Sequence, residues 1–317
     1  MLFPVLIACG STDDDLSDES GPRFLVTGPR GLSERAGERE KMIVQFDDGA
    51  FVLDPAISAD GKKLAFAVQH PASANAKGNV DFGSDLWISN RDGSGRRELL
   101  RHSAPGEFIA RPNWLPNGKQ IVFDVRGTKA GGQPDLRVET IDIDTKERKR
   151  LVEDAMEPAM HPDGKTVAYV RVNQRTQHEQ LMLADLTTGE SKPLTGADAT
   201  QVFNIELAWS PDGQWLAWGA ADPTVQAPVS GGGLRAAAAM THPFLQDVWV
   251  IKRDGTEMKR LADIGESQPS IAWSADGTYV YVMGATNFWR VKLSDGAKEI
   301  VGAGSPNGQL RVVSKAP

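Results

Sequence analysis

The chain has 317 residues, 40% of them apolar, and a formal net charge of −7, so it can bury a sizeable core; its 32 Gly and 19 Pro suit many short strands joined by turns. Five acids (Asp13, Asp14, Asp15, Asp18 and Glu19) crowd into residues 11–20, and without them the charge falls to −2. The nearly neutral body excludes a broad basic surface for nucleic acid, and Cys9, the only cysteine, excludes an intrachain disulfide.

In chain order, residues 1–8 are all apolar and lead into Cys9. The run is too short to span a bilayer. The tetrad Leu6-Ile7-Ala8-Cys9 resembles the lipobox of bacterial lipoproteins, with a small residue before the cut. That resemblance implies cleavage before Cys9 and diacylglycerol on its thiol. Gly10 follows rather than Asp, which by the same resemblance implies the outer membrane, facing the periplasm or the surface. No Lys or Arg precedes the apolar run, so a start further upstream or a trimmed chain is expected. The alternative is an incidental cysteine at a frayed terminus, but its place between an apolar run and an acidic stretch argues for lipidation. The organisation expected is a partial signal segment over 1–8, a lipidated Cys9 with an acidic tether over 9–22, and one domain over 23–317.

The body repeats one unit: an apolar residue, a turn ending in Asp-Gly or Asn-Gly, then an apolar strand. The turns end at Gly61, Gly118, Gly164, Gly213 and Gly277, with a weaker sixth, Ser305-Pro306-Asn307-Gly308. Strands follow at Leu64-Ala65-Phe66, Ile121-Val122-Phe123, Val167-Ala168-Tyr169, Leu216-Ala217-Trp218 and Val280-Tyr281-Val282. A second strand pair continues each unit, as in Asp85-Leu86-Trp87-Ile88, a turn at Asp92-Gly93, then Arg97-Glu98-Leu99-Leu100. Four short antiparallel strands in about 45 residues is the signature of a propeller blade. The pattern apolar-Ser-Pro-Asp-Gly-x-x-apolar-Ala-aromatic resembles the repeat of TolB-type propellers over residues 41–315. Ala59, Ala275, Leu115 and His161 depart from it. The resemblance implies an all-β, six-bladed propeller with four-stranded antiparallel blades and the last blade closed by N-terminal strands. Lys41-Met42-Ile43-Val44-Gln45-Phe46 and Ala50-Phe51-Val52-Leu53 are expected to supply those strands, meeting the chain near Val312 and Val313.

No Gly-x-Ser-x-Gly elbow, phosphate loop, paired-cysteine pattern or His-Glu-x-x-His occurs, so neither cofactor nor metal is expected. Asp142-Ile143-Asp144 lacks the rest of a calcium loop and reads as strand and turn. Recurrent tryptophans fit blade packing better than a sugar platform. Asp85, Asp135 and Asp247 read as strand caps, and His161 as a structural turn residue.

Insertions gather between the second and third strands, at 69–84, 126–134, 171–179 and 219–246, all on the face opposite the Asp-Gly turns. The last spans 28 residues and carries Gly231-Gly232-Gly233 and Thr241-His242-Pro243-Phe244. Long loops on a rigid scaffold are where recognition concentrates. The leading expectation is a non-catalytic envelope module that binds a protein, peptide or glycan as a monomer, touching the membrane through its lipid alone. The alternative is a propeller lyase or hydrolase acting at the channel mouth. His70, Arg126, His178, His242 and Phe244 are the candidate ligand-binding residues, and their clustering or dispersal separates the two readings.

Overall fold

The computed structural model describes residues 21–74, 80–176, 178–196, 203–221, 245–305 and 308–313. Cys9, the acidic stretch, His242 and Phe244 lie outside them. No helix among the described residues is long and apolar enough to cross a membrane.

The described residues are all β. They start with a meander, β1 (Arg23–Gly28), β2 (Gly31–Ala36) and β3 (Arg39–Val44). Blade 1 is β4 (Phe51–Ile57), β5 (Lys63–Gln69), β8 (Gly83–Asn90) and β9 (Arg97–Leu100), with a small hairpin, β6 (Ser73–Ala74) and β7 (Val80–Asp81), inserted before β8. Blade 2 is β10 (Glu107–Trp114), β11 (Gln120–Thr128), β12 (Pro134–Asp142) and β13 (Arg148–Glu153). Blade 3 is β14 (Ala155–Met160), β15 (Thr166–Asn173), β16 (His178–Asp185) and β17 (Ser191–Pro193). Blade 4 is β18 (Phe203–Trp209), β19 (Trp215–Ala220), β20 (Gln246–Lys252) and β21 (Lys259–Glu266). Blade 5 is β22 (Ser270–Trp273), β23 (Tyr279–Met283), β24 (Asn287–Lys292) and β25 (Lys298–Ala303), and β26 (Leu310–Val313) follows.

The sixth blade is the sheet β26-β1-β2-β3. The last strand pairs with the first, Val312 opposite Phe24 and Leu310 opposite Val26. The innermost strands β4, β10, β14, β18, β22 and β26 touch in that order, and β26 returns to β4. This is a six-bladed β-propeller closed by N-terminal strands, as the repeat predicted.

Two details of the closure differ from expectation. Lys41–Phe46 does contribute, through β3, but as the outermost strand; the partner of Val312 and Val313 is β1. Phe51–Leu53 belongs instead to the innermost strand of blade 1, Phe51 lying opposite Gln69. The turn at Gly308 has the usual hydrogen bond to Ser305 but precedes an innermost strand rather than following one. In this blade the place of the Asp-Gly turn falls between the chain ends, so the repeat motif is absent where closure occurs.

The turns explain why the repeat has its form. The Ser58 hydroxyl donates to Asp60 Oδ1 at 2.6 Å and accepts from the Lys63 amide at 2.9 Å, while Asp60 accepts from the Lys62 amide. Ser210/Asp212 and Ser274/Asp276 repeat the arrangement. His161 takes the serine's place through Nδ1, and its Nε2 meets the Gly213 carbonyl of the next blade at 3.0 Å. Only glycine fits at 213: φ is +69°, and a Cβ would lie 2.3 Å from that imidazole nitrogen. Asp142 closes an Asx turn on Asp144 and Thr145, as expected of a strand end.

The core divides into six apolar clusters, one between each pair of neighbouring blades. Second strands are buried on both faces, which is why Leu64–Val68 reads as an unbroken apolar run. Tryptophans bridge blades: Trp209 donates to the Ala159 carbonyl and Trp273 to the Ala208 carbonyl.

Candidate functional site

Four innermost strands carry a bulge at one repeat position, seven residues before the turn glycine. The bulges lie between Leu53 and Ala56, Ala110 and Asn113, Met156 and Ala159, and Ile205 and Ala208. Each contains a charged residue in the left-handed region: Asp54 (φ 51°), Arg111 (52°), Glu157 (56°) and Glu206 (27°). Such φ values are uncommon for residues with a Cβ, and the kink re-aims the side chain. Pro55, Pro112 and Pro158 follow three of them, where the missing N–H leaves no ladder bond unmade.

These side chains form a belt across all six blade interfaces. Asp54 accepts from the Arg111 amide at 3.1 Å, and Asp124 from the Glu157 amide at 2.8 Å. Glu157 accepts from the Glu206 amide at 3.1 Å. The Ser270 hydroxyl donates to Glu206 and accepts from the Leu310 amide at 2.9 Å. Gln309 closes the circle, accepting from the Asp54 amide and donating to Asp54 Oδ1.

Three guanidiniums neutralise the acids. Arg111 lies 2.6 Å from Asp54 and 3.0 Å from Glu157. Arg126 contacts Asp124 and Glu157, each at 2.7 Å, and Arg311 contacts Glu206. Burial works against a charged Glu157, yet Arg111 and Arg126 hold its pKa below the ordinary value. Asp124 is pushed up, by burial first, with Arg126 opposing and the Glu157 charge adding to the rise. Burial and the nearby Arg111 bring Arg311 down to about 10.

Of the candidates, only Arg126 joins this belt; its side chain keeps 33% exposure. His70 follows the second strand of blade 1, where Nδ1 meets Asp48 at 2.7 Å and the ring packs near Phe46 and Trp87. None of its partners is shared with Arg126. His178 starts β16 on the loop face, and its side chain lies outside the described residues. The structure therefore does not bring His70 and Arg126 together.

Two features escaped the sequence reading. One is the belt, although a charged residue followed by proline seven positions before the turn glycine occurs three times. The other is His102, whose Nδ1 lies 2.6 Å from Asp85 and whose Nε2 lies 2.9 Å from Asp81. Asp85 and Asp247 also cap backbone, accepting from the amides of His102 and of Ile264 and Gly265. Among the described residues no group of three His, Cys, Asp or Glu is placed to hold a metal.

The loop face collects exposed apolar side chains. Phe51 begins β4, Val80 and Phe82 flank Asp81 just before β8, and Leu245 precedes β20; they are 53%, 50%, 43% and 63% exposed. The other exposed large apolar residues among those described are Met258, near the opposite face, and Ile300 and Val301 on an outer strand.

No family model and no curated protein matches the sequence. Solved structures do. TolB from Acinetobacter baumannii is 18% identical with a TM-score of 0.64, covering 93% of this chain and 67% of that one. A puromycin-hydrolyzing peptidase of Mycobacterium tuberculosis is 13% identical with a TM-score of 0.58, over 92% of this chain and 43% of the peptidase. An oligogalacturonate lyase from Vibrio parahaemolyticus is 13% identical with a TM-score of 0.53, over 86% and 71%. The fold is thus a TolB-like β-propeller, an architecture shared by proteins of different activities.

Proposed function

We propose that this protein is a non-catalytic binding module of a bacterial cell envelope, tethered by a lipid on Cys9, that engages a partner with its loop rim. The observation that carries this reading is the gathering of Phe51, Val80, Phe82 and Leu245 on one face, where the long 219–246 connection also emerges. Exposed apolar side chains rimmed by polar residues mark interaction sites, and the aliphatic Val80 and Leu245, which offer neither a stacking face nor a polar group, favour a protein or peptide over a glycan. The channel belt supports the same reading, because its carboxylates are committed to amides and guanidiniums of neighbouring blades. The dispersal of His70 and Arg126 points the same way. The Gly-rich half of the long loop costs entropy on ordering, so affinity should be about micromolar.

Replacing 230–241 with a short Gly-Ser linker tests the rim. The variant should fold as the native chain does, since long surface loops add little to ring stability. Its recovery of partners from an envelope extract should fall about tenfold or more as the contacts made by this segment are removed. Undiminished recovery by the folded variant removes this loop from the recognition surface.

The tether has its own check. Protein expressed from the full gene should carry an N-terminal diacylglyceryl-Cys9 by mass spectrometry and fractionate with outer membrane. An unmodified Cys9 peptide from the soluble fraction contradicts lipidation.

A further inference from the structure

We propose that Asp81, His102 and Asp85 form a protonation-controlled latch that fixes β7, and with it Val80, on the loop rim. His102 sits between two carboxylates, 2.6 Å from Asp85 and 2.9 Å from Asp81. A carboxylate only accepts, so both ring nitrogens must carry hydrogen, and the ring is an imidazolium. The two jaws differ. Asp85, on β8, is buried and also accepts from the His102 amide, whereas Asp81, on β7, is 42% exposed. Loss of one proton leaves the ring a single donor, and the buried jaw keeps it. Asp81 is then released, and β7 with it, while Phe82 stays held through the Gly106 amide on its carbonyl.

The surroundings hold the ring in place. A Cβ at Gly83 would lie 2.9 Å from His102 Cδ2 and 2.3 Å from the Glu107 carbonyl, so glycine gives the ring its room. Arg101 precedes the histidine and attracts Asp81. On β10 the Glu107 carboxylate is engaged by the Ser103 amide and by Arg137, and so does not compete for the ring. Burial alone would lower the His102 pKa, but the hydrogen bonds to Asp81 and Asp85 raise it above its ordinary 6.5. The latch is therefore fully closed below pH 6.5 and opens as pH rises through the raised value. Its chemistry stands apart from the binding reading; only its consequence for presenting Val80 rests on that reading.

The test is a pH titration of the full chain labelled with ¹⁵N-histidine, with the His102 signals assigned through His102→Gln. Both ring nitrogens should be protonated at pH 6.5, with a midpoint above that value. Asp81→Asn should move the midpoint down. Hydrogen exchange at residues 80 and 81, corrected for the intrinsic pH dependence, should rise roughly tenfold across the native midpoint and be fast throughout in Asp81→Asn. Should that variant not fold, the native titration decides alone. A midpoint at or below 6.5, or exchange unchanged across it, overturns the latch; neither result bears on partner recovery.

Discussion

Deleting residues 309–317 is expected to lower the thermal unfolding midpoint by about 10 °C or more and to broaden the transition. The truncation removes β26, the only C-terminal strand in the composite blade. Leu310 is fully buried against Phe24, Tyr281, Met283 and Phe288, and losing such a side chain costs about 2–5 kcal/mol. Arg311 is lost from Glu206, and Gln309 from the Asp54 amide. The unpaired edge of β1 is then open to non-native pairing. Calorimetry reads the effect directly, and an unchanged, equally sharp transition is incompatible with ring closure through β26 and β1.

Arg111→Met is expected to destabilise the native chain by about 3–5 kcal/mol at pH 7, because it strands buried carboxylates. Methionine keeps much of the apolar stem, so the lost charge dominates. Asp54 and Glu157 lose partners at 2.6 and 3.0 Å. The pH dependence identifies the mechanism. In the native protein Glu157 has a lowered pKa, so its stabilising contribution is present above its ordinary 4.5 and lost as pH falls through the lowered value. In the variant that hold is weakened, and Glu157 takes up a proton at higher pH. The stability gap should be widest near neutrality and narrow as pH falls through the ordinary 4.5. Urea unfolding at pH 7 and at about pH 4 measures it. A gap of the same size at both values would mean that packing, and not charge, accounts for the loss.

The blades were legible because their turns depend on few residue types. Ser58, Asp60 and Gly61 cap one hairpin with side-chain bonds and a positive φ, and that local chemistry recurs wherever the blade does. Closure was harder to read for the converse reason. Arg23–Gly28 and Gly31–Ala36 lie in a blade whose turn position is split between the chain ends, so no motif marks them. Phe51–Leu53 was consequently placed one blade too early.

The belt was illegible for a different reason. Asp54, Arg111, Glu157, Glu206 and Ser270 share one structural position but differ in charge and size. What is common to them is the cross-blade partner and, in the first four, the bulge, neither of which is a residue type. His102 was passed over because its carboxylates lie 17 and 21 residues away, across a hairpin that the apolar pattern does not announce.

Recognition by the rim rather than the channel is tested most directly by capture from envelope extract with three folded baits: the native chain, the 230–241 replacement, and Arg126→Gln. Arg126 belongs to the belt, and its side chain is the most exposed of the belt's guanidiniums. Equal recovery by the native and Arg126→Gln baits, with loss confined to the loop replacement, is the predicted result. Loss with Arg126→Gln and full recovery with the loop replacement would place the site in the channel and contradict the account.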